Sequence, residues 1–280
     1  MNQESRLKLI DLLLEFTGFT QRKDLKNHFC VGSATASRDI KLYEERFPEN
    51  TRYNIRSRRY ERLDSFECAF NHDLNDTLVY LTSEKWIVNH KNPGFGGYIG
   101  KGLPHGMQAF SVATVTRAIA LKKVVNMEYS SLSSGNSSRL FSPHSLLSNG
   151  VFWYVRGFDR KSGEYRNFRL SRILDVAETN HLAQPEERPS NDIDWSTCVT
   201  LTIAPHPGHN NEHAIRMDLG LTDKPVLNFN VPSATAGFVL SAMRVDCSED
   251  ASMDYNQFPY RCVNLHELKE VGSMSIAPGA

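Results

Sequence analysis

The chain has 280 residues, enough for one large core or two to three small ones. Its 32 basic and 32 acidic residues cancel overall, yet they divide as +3 over residues 1–64, +3 over 65–189 and −6 over 190–280, which suggests a nucleic-acid end and a protein-contacting or solvating end. No apolar run approaches the roughly 20 residues of a membrane span, and Met1-Asn2-Gln3-Glu4 does not open a signal peptide, so a cytoplasmic location with no membrane partner is expected.

Residues 5–16 place Leu9, Leu12, Leu13 and Phe16 at the spacing of an amphipathic helix. Ser5 is expected as its N-cap and Gly18 just beyond its end. Thr20 is expected to cap a second helix over 21–29, with Leu25 and Phe29 inward. Cys30-Val31-Gly32 makes a tight turn, and Ser33 is expected to cap a third helix over 34–47 that Pro48 helps to end. On that helix Ala36, Ile40, Tyr43 and Phe47 share one face. Ala34, Arg38, Lys41 and Glu45 lie opposite, flanked by Thr35 and Ser37. Small polar residues and a basic pair at a helix start suit a recognition helix, whose N-terminal half must enter the major groove without bulk. Residues 51–62 then carry five arginines against Glu61, a net +4. Alternating Tyr53, Ile55 and Tyr60 predict a two-stranded wing. A winged helix-turn-helix over 1–64 follows, its candidate DNA contacts Ser33, Thr35, Ser37, Arg38 and Lys41 on the helix and Arg52, Arg56, Arg58 and Arg59 in the wing. The competing reading is an unrelated three-helix bundle with a solvated basic loop; the coincidence of turn, polar helix start and basic wing favours DNA.

Residues 65–89 are expected to be a helical connector ending near Trp86. Residues 92–107 hold six glycines and two prolines. Neither G-x-G-x-x-G nor P-loop spacing survives there, because Ile99 stands where the third glycine belongs and no Ser or Thr follows Gly100-Lys101. The stretch reads as a linker, giving a connector over 65–109. A helix is expected over 110–123, then strands over 125–132 and 139–148, with Asn149-Gly150 as a type I′ hairpin turn.

Residues 151–159 alternate, with Phe152, Tyr154, Arg156 and Phe158 on one face and Val151, Trp153 and Val155 on the other. Lys161-Ser162-Gly163 supplies a turn. The return strand puts Phe168 and Leu170 on one face and Tyr165, Asn167 and Arg169 on the other. Arg156, Arg166, Arg169 and Arg172 are expected to crowd one aromatic-walled surface, suited to clamping phosphate and stacking on bases. The alternative is a sheet with solvated arginines.

At Trp153-Tyr154-Val155, Arg156-Gly157-Phe158 and Phe168-Arg169-Leu170-Ser171-Arg172-Ile173 the chain resembles the WYL-domain transcriptional regulators. Val155 stands where the name-giving leucine would be, and Ser142-Pro143-His144 fits the preceding strand. The resemblance implies a small Sm-like (SH3-like) β-barrel used as a ligand sensor, over 110–185. His144, Tyr154, Arg156, Arg169 and Arg172 are the expected lining of a site for a nucleotide or nucleic-acid effector.

Residues 185–189 are charged and proline-bounded, a domain boundary. Strands over 199–204, 225–231 and 261–265 alternate with helices over 212–219 and 234–245, the pattern of a small α/β domain over 190–280. The whole is an α+β multidomain chain. The acidic last domain resembles the C-terminal extension of many WYL regulators and, with the connector, is expected to hold a homodimer. Its His206, His209 and His213 sit around Pro205, Pro207 and Gly208 without a cysteine, and are expected as surface histidines rather than metal ligands.

The five cysteines lack C-x-x-C spacing, which argues against zinc and disulfides and for small buried hydrophobes. No catalytic motif is present, so neither enzyme activity nor a cofactor is expected. The domain order resembles the regulators beside bacterial phage-defence operons, the BrxR and CapW type, which implies a homodimeric repressor of an inverted-repeat operator. The competing class is a specificity module of a nucleic-acid-processing enzyme.

Overall fold

The computed structural model describes residues 2–83, 106–221 and 223–280. They fall into two units, Met1–Arg188 and Pro189–Ala280.

The first unit opens with α1 (Gln3–Thr17), α2 (Arg22–Phe29) and α3 (Ser33–Arg46). Asn2, not Ser5, caps α1 by accepting from the Ser5 amide. Gly18 ends it at φ 80°, where a side chain would be strained. Gln21 and Asp24 cap α2 reciprocally. Thr20 is not that cap; it lies in β1 (Phe19–Thr20), a strand too short to show any period. β1 pairs with β3 (Arg59–Arg62), which pairs with β2 (Thr51–Asn54), so the wing is three-stranded at its base. Gly32 takes the cap position of α3, and Ser33 is the first helical residue.

α1 is buried on two faces. Leu7, Ile10 and Leu14 pack with Leu25, Ala36, Ile40 and Tyr43. Leu9, Leu13 and Phe16 pack instead with the helices and strands that follow. Between them sits Asp11, fully buried. Its carboxylate accepts from the Tyr43 hydroxyl, the Ala69 and Phe70 amides, the Cys68 thiol and His72 Nε2. Burial alone would raise its pKa, but the hydrogen bonds, His72 foremost, outweigh that and hold it below the usual carboxylate range. Residues 65–73 are therefore an irregular segment tied to Asp11, not a helix. α4 (Leu74–Thr82) follows. The rest of the expected connector helix, Trp86 included, and the glycine-rich stretch up to residue 105 lie outside the described residues.

α5 (Ala109–Leu121) lies on an antiparallel sheet. Its strands are β4 (Lys123–Ser131), β5 (Gly135–Ser148), β6 (Trp153–Asp159), β7 (Glu164–Arg169) and β8 (Ile173–Leu182), in the order β7-β6-β5-β4-β8. β7 and β8 are joined by a single 3₁₀ turn, Leu170–Arg172. No ladder joins these two edges among the described residues, so the pairing is that of an open sheet rather than a closed barrel. Asn149-Gly150 is not a two-residue hairpin turn: the loop runs from 149 to 152, with the Asn149 side chain accepting from the Val151 and Phe152 amides.

The second unit contains α6 (Ile193–Ser196), β9 (Cys198–Pro205), α7 (Glu212–Asp218), β10 (Leu227–Pro232), α8 (Ala236–Ala242), β11 (Val245–Asp246) and β12 (Tyr260–Cys262). Its sheet order is β10-β9-β12-β11, with β11 and β12 parallel. Leu201, Ile203, Val231, Leu240, Val245, Cys247 and Cys262 form the core. Cys30, Cys68 and Cys198 are exposed, contrary to expectation. His206 is not a surface histidine either: it is buried, its Nε2 lies 3.1 Å from Asp246, and the Gly208 amide donates to its Nδ1. No helix among the described residues is long and apolar enough to cross a membrane.

Candidate DNA-binding surface and effector site

α3 shows the division that its periodicity predicts. Ala36, Ile40 and Tyr43 are buried, and Ser33, Ala34, Arg38 and Lys41 are exposed. Thr35 and Ser37 are half-buried beside them. Asp39 is buried and anchors the helix from behind: Arg6 Nε lies 2.6 Å from one oxygen and Gln3 Nε2 3.1 Å from the other. Sequence reading missed Asp39 because its partners lie more than 30 positions away. Lys41 makes an exposed pair with Glu45 at 3.6 Å, which constrains it little.

In the wing Arg52, Arg56 and Arg58 are exposed. Arg59 is more engaged: its guanidinium stacks over Phe19 at 4.3 Å and bonds Glu61 at 2.9 Å. The turn between the strands is braced by side chains. Asn54 Oδ1 accepts from the Arg56 and Ser57 amides, and Glu61 accepts from Asn54 Nδ2 and the Ser57 hydroxyl. Arg58 closes the turn at φ 54°.

The β6–β7 hairpin sets the second site by its register. Tyr154 faces Arg169, Arg156 faces Asn167, and Phe158 faces Tyr165, three rows on one side of the sheet. Trp153, Val155, Phe168 and Leu170 go to the core. In the first row an Arg169 guanidinium nitrogen lies 3.1 Å from the Tyr154 hydroxyl, and the guanidinium stacks 3.7 Å from the Phe152 ring centre. Its Nε is buried without a hydrogen-bond partner among the described residues. In the second row Arg156, only 4% exposed, reaches Asn167 at 3.4 Å. In the third, Tyr165 meets Phe158 and His144 edge to face.

His144 arrives by a bulge. Pro143 pairs with Gly157 and Ser145 with Arg156, so His144 is the extra residue of β5. It is buried, with Nδ1 2.9 Å from the Ser145 hydroxyl. Gly157 opposite permits this approach: a Cβ there would fall 2.3 Å from the Ser142 carbonyl oxygen. Arg172 is half-buried on the 3₁₀ turn. Arg166 does not join the cluster: it lies opposite Gly157 on the other face, is exposed, and pairs with Glu164. Phe152, Asn167 and Tyr165 complete the rows and were not among the expected lining; alternation had placed all three on this face.

Behind the third row, the chain leaving the sheet is clamped. Arg160 grips Glu187 through two nitrogens at 2.6 and 3.0 Å, Ser142 adds a third bond, and the Tyr165 hydroxyl donates to the carbonyls of Glu186 and Arg188. Burial opposes the Glu187 charge, but Arg160 and the other donors hold its pKa down. Among the described residues one group of metal-ligand types converges, Asp11, Cys68 and His72. Burial, then Asp11, pushes the Cys68 thiol up to about 12, and five donors already occupy the carboxylate. The group reads as a hydrogen-bonded hub of the fold.

Known protein families match the chain in three segments. Residues 2–83 match the winged helix-turn-helix domain of the BrxR transcriptional regulator, 111–178 the WYL domain, and 198–268 the C-terminal dimerization domain of the BrxR regulator. The DNA-binding transcriptional repressor CapW of Escherichia coli (strain KTE188) is 30% identical over 216 residues, spanning 74% of this chain and 70% of that protein. The chain belongs to the WYL-domain transcriptional regulators of the BrxR and CapW type. CapW of Pseudomonas aeruginosa is 29% identical over 215 residues, with the same two coverages, 74% and 70%. CapW of Stenotrophomonas maltophilia is 28% identical over 232 residues, spanning 79% of this chain and 76% of its own. In this WYL regulator the signature residues Trp153 and Val155 serve the core, and Tyr154, Arg156 and Arg169 line the open rows.

Proposed function

We propose that this protein is a transcriptional repressor of a phage-defence operon, acting in the cytoplasm as a homodimer on an inverted-repeat operator. Its central sheet answers to a nucleotide or nucleic-acid effector. The observation that carries the DNA reading is one rigid three-helix core presenting both the polar start of α3 and a braced arginine wing. The CapW relatives, DNA-binding transcriptional repressors, support it. The division is read as 1–64 for DNA, 65–109 as connector, 110–185 as WYL domain and 190–280 as dimerisation domain. The five strands, with their register shifts and one 3₁₀ corner, are read as a partly open form of an Sm-like barrel whose β7 and β8 edges are not joined by a ladder. His144, Tyr154, Arg156, Arg169 and Arg172 bind the effector, the arginines taking phosphate and Tyr154 stacking or hydrogen bonding. The unpartnered Nε of Arg169 supplies a donor for it.

The test is fluorescence anisotropy on duplexes from upstream of the operon. Arg38→Ala should cost about 1–3 kcal/mol on the operator and little on random DNA. Unchanged operator binding by a folded Arg38→Ala, Arg58→Ala triple variant that also carries Arg59→Ala overturns the reading.

A further inference from the structure

The wing tip presents an apolar side chain that the fold does not use. Ile55, first residue of the turn, is 81% exposed and belongs to none of the three cores. Neighbouring Tyr53 is 41% exposed. A β-branched residue is a poor turn former, so the local backbone gives no reason for isoleucine. Its surroundings are cationic: Arg52, Arg56 and Arg58 are all exposed around it. The turn is also stiff, since Asn54, Ser57 and Glu61 cross-link it from behind. A stiff turn can drive a side chain into a partner with little further ordering cost.

We infer that Ile55 is a minor-groove wedge: the wing tip enters the groove, Arg56 and Arg58 meet phosphates on its two walls, and Ile55 presses against a base step at the floor. Resting on the DNA-binding reading above, this adds a specificity element. A polyanion satisfies the arginines, and the narrow minor groove sets its phosphate walls close to a floor of sugars and base edges, where apolar side chains insert between base steps. An apolar wedge unstacks and bends the duplex, at a cost lowest at pyrimidine–purine steps such as TA and CA. The regulator should therefore prefer a pyrimidine–purine step under the wing, beyond the bases that α3 touches.

The experiment uses the full chain and the duplex that it protects from nuclease. Wild type, Ile55→Ala, Ile55→Phe and Arg58→Ala are compared by anisotropy across a salt series, and bending is read by energy transfer between dyes at the duplex ends. Ile55→Ala should weaken binding about tenfold with an unchanged salt slope and a smaller bend. Ile55→Phe should restore both, and Arg58→Ala should lower the salt slope by about 1. Replacing the pyrimidine–purine steps under the wing with a stiff A-tract should weaken wild type but leave Ile55→Ala almost unaffected. Equal losses in the two proteins, or wild-type affinity and bend in Ile55→Ala, overturn the wedge. So does a result in which Ile55→Ala binds DNA normally but loses self-association in sedimentation, which makes the tip a protein contact. A wild-type chain that binds no duplex in a salt-dependent way sinks the DNA reading itself, a different failure.

Discussion

Arg169 is held by Phe152 and Tyr154 yet keeps a buried, unpartnered Nε. Stacking on Phe152 fixes the guanidinium plane while one nitrogen is spent on the Tyr154 hydroxyl, so Nε stays available as a donor. Arg169→Ala should leave operator affinity unchanged and abolish the response to the natural trigger. The check is a reporter under the operator in cells carrying either protein; equal induction removes the sensor role from this face. Asp11 makes the opposite case, a charge wholly consumed by its neighbours. Asp11→Asn leaves several of its donors unmatched and should cost about 3 kcal/mol in urea unfolding. Its pKa is held low, so its contribution is present above the ordinary carboxylate range and lost as pH falls through the folded value. The wild-type urea midpoint should therefore drop more steeply than the variant's between about pH 5 and pH 3. At this scale the sequence was legible where a strand period assigned faces, as for Tyr154, Arg156 and Arg169. Grouping by residue type misled at Arg166, which alternation sends to the other side. Asp11, Asp39 and His206 were opaque because what buries them is remote in the chain.

Among the elements, β5 shows how one irregular residue builds a site. A regular ladder would alternate His144 by the strand period; the bulge between Pro143 and Ser145 re-aims it toward Tyr165. Gly157 makes room for that bulge. A Cβ at 157 would meet the Ser142 carbonyl, the Phe141 ring and the Pro143 Cα, all within 2.7 Å. Gly157→Ala should cost about 2 kcal/mol or more in thermal unfolding and loosen effector binding beyond what stability explains. An equally stable variant with full effector affinity would show that the strands can simply separate. The long helices, the wing and the hairpin were readable because each repeats a period over several residues. The two-residue β1, the bulge and the 3₁₀ corner were not, since pairing partners alone define them.

For the whole molecule, charge asymmetry and segment order pointed to a basic DNA-reading front and an acidic back. The family matches place a winged helix and a dimerization domain at those ends. A two-fold protein should mark DNA with two protected half-sites, centred one helical turn, about 34–36 Å, or a multiple apart. Sedimentation should give a dimer at micromolar concentration, free and on the operator; a monomer in both states refutes the assembly. What the sequence could not show is that α1 serves two cores at once. Leu7, Ile10 and Leu14 belong to the winged-helix core, whereas Leu9, Leu13 and Phe16 belong with the WYL strands.

That shared helix limits how the protein can be recombined. A chimera cut near residue 64 would graft a foreign first helix onto this WYL sheet, and Val112, Val115, Ala118 and the strands beneath would lose the leucines and phenylalanine that α1 lends them. Swapping operator specificity between such regulators thus calls for exchanging the outward residues of α3 and the wing within the native scaffold, or for moving α1 and the WYL sheet together. The unit of inheritance in space is larger than the segment that touches DNA.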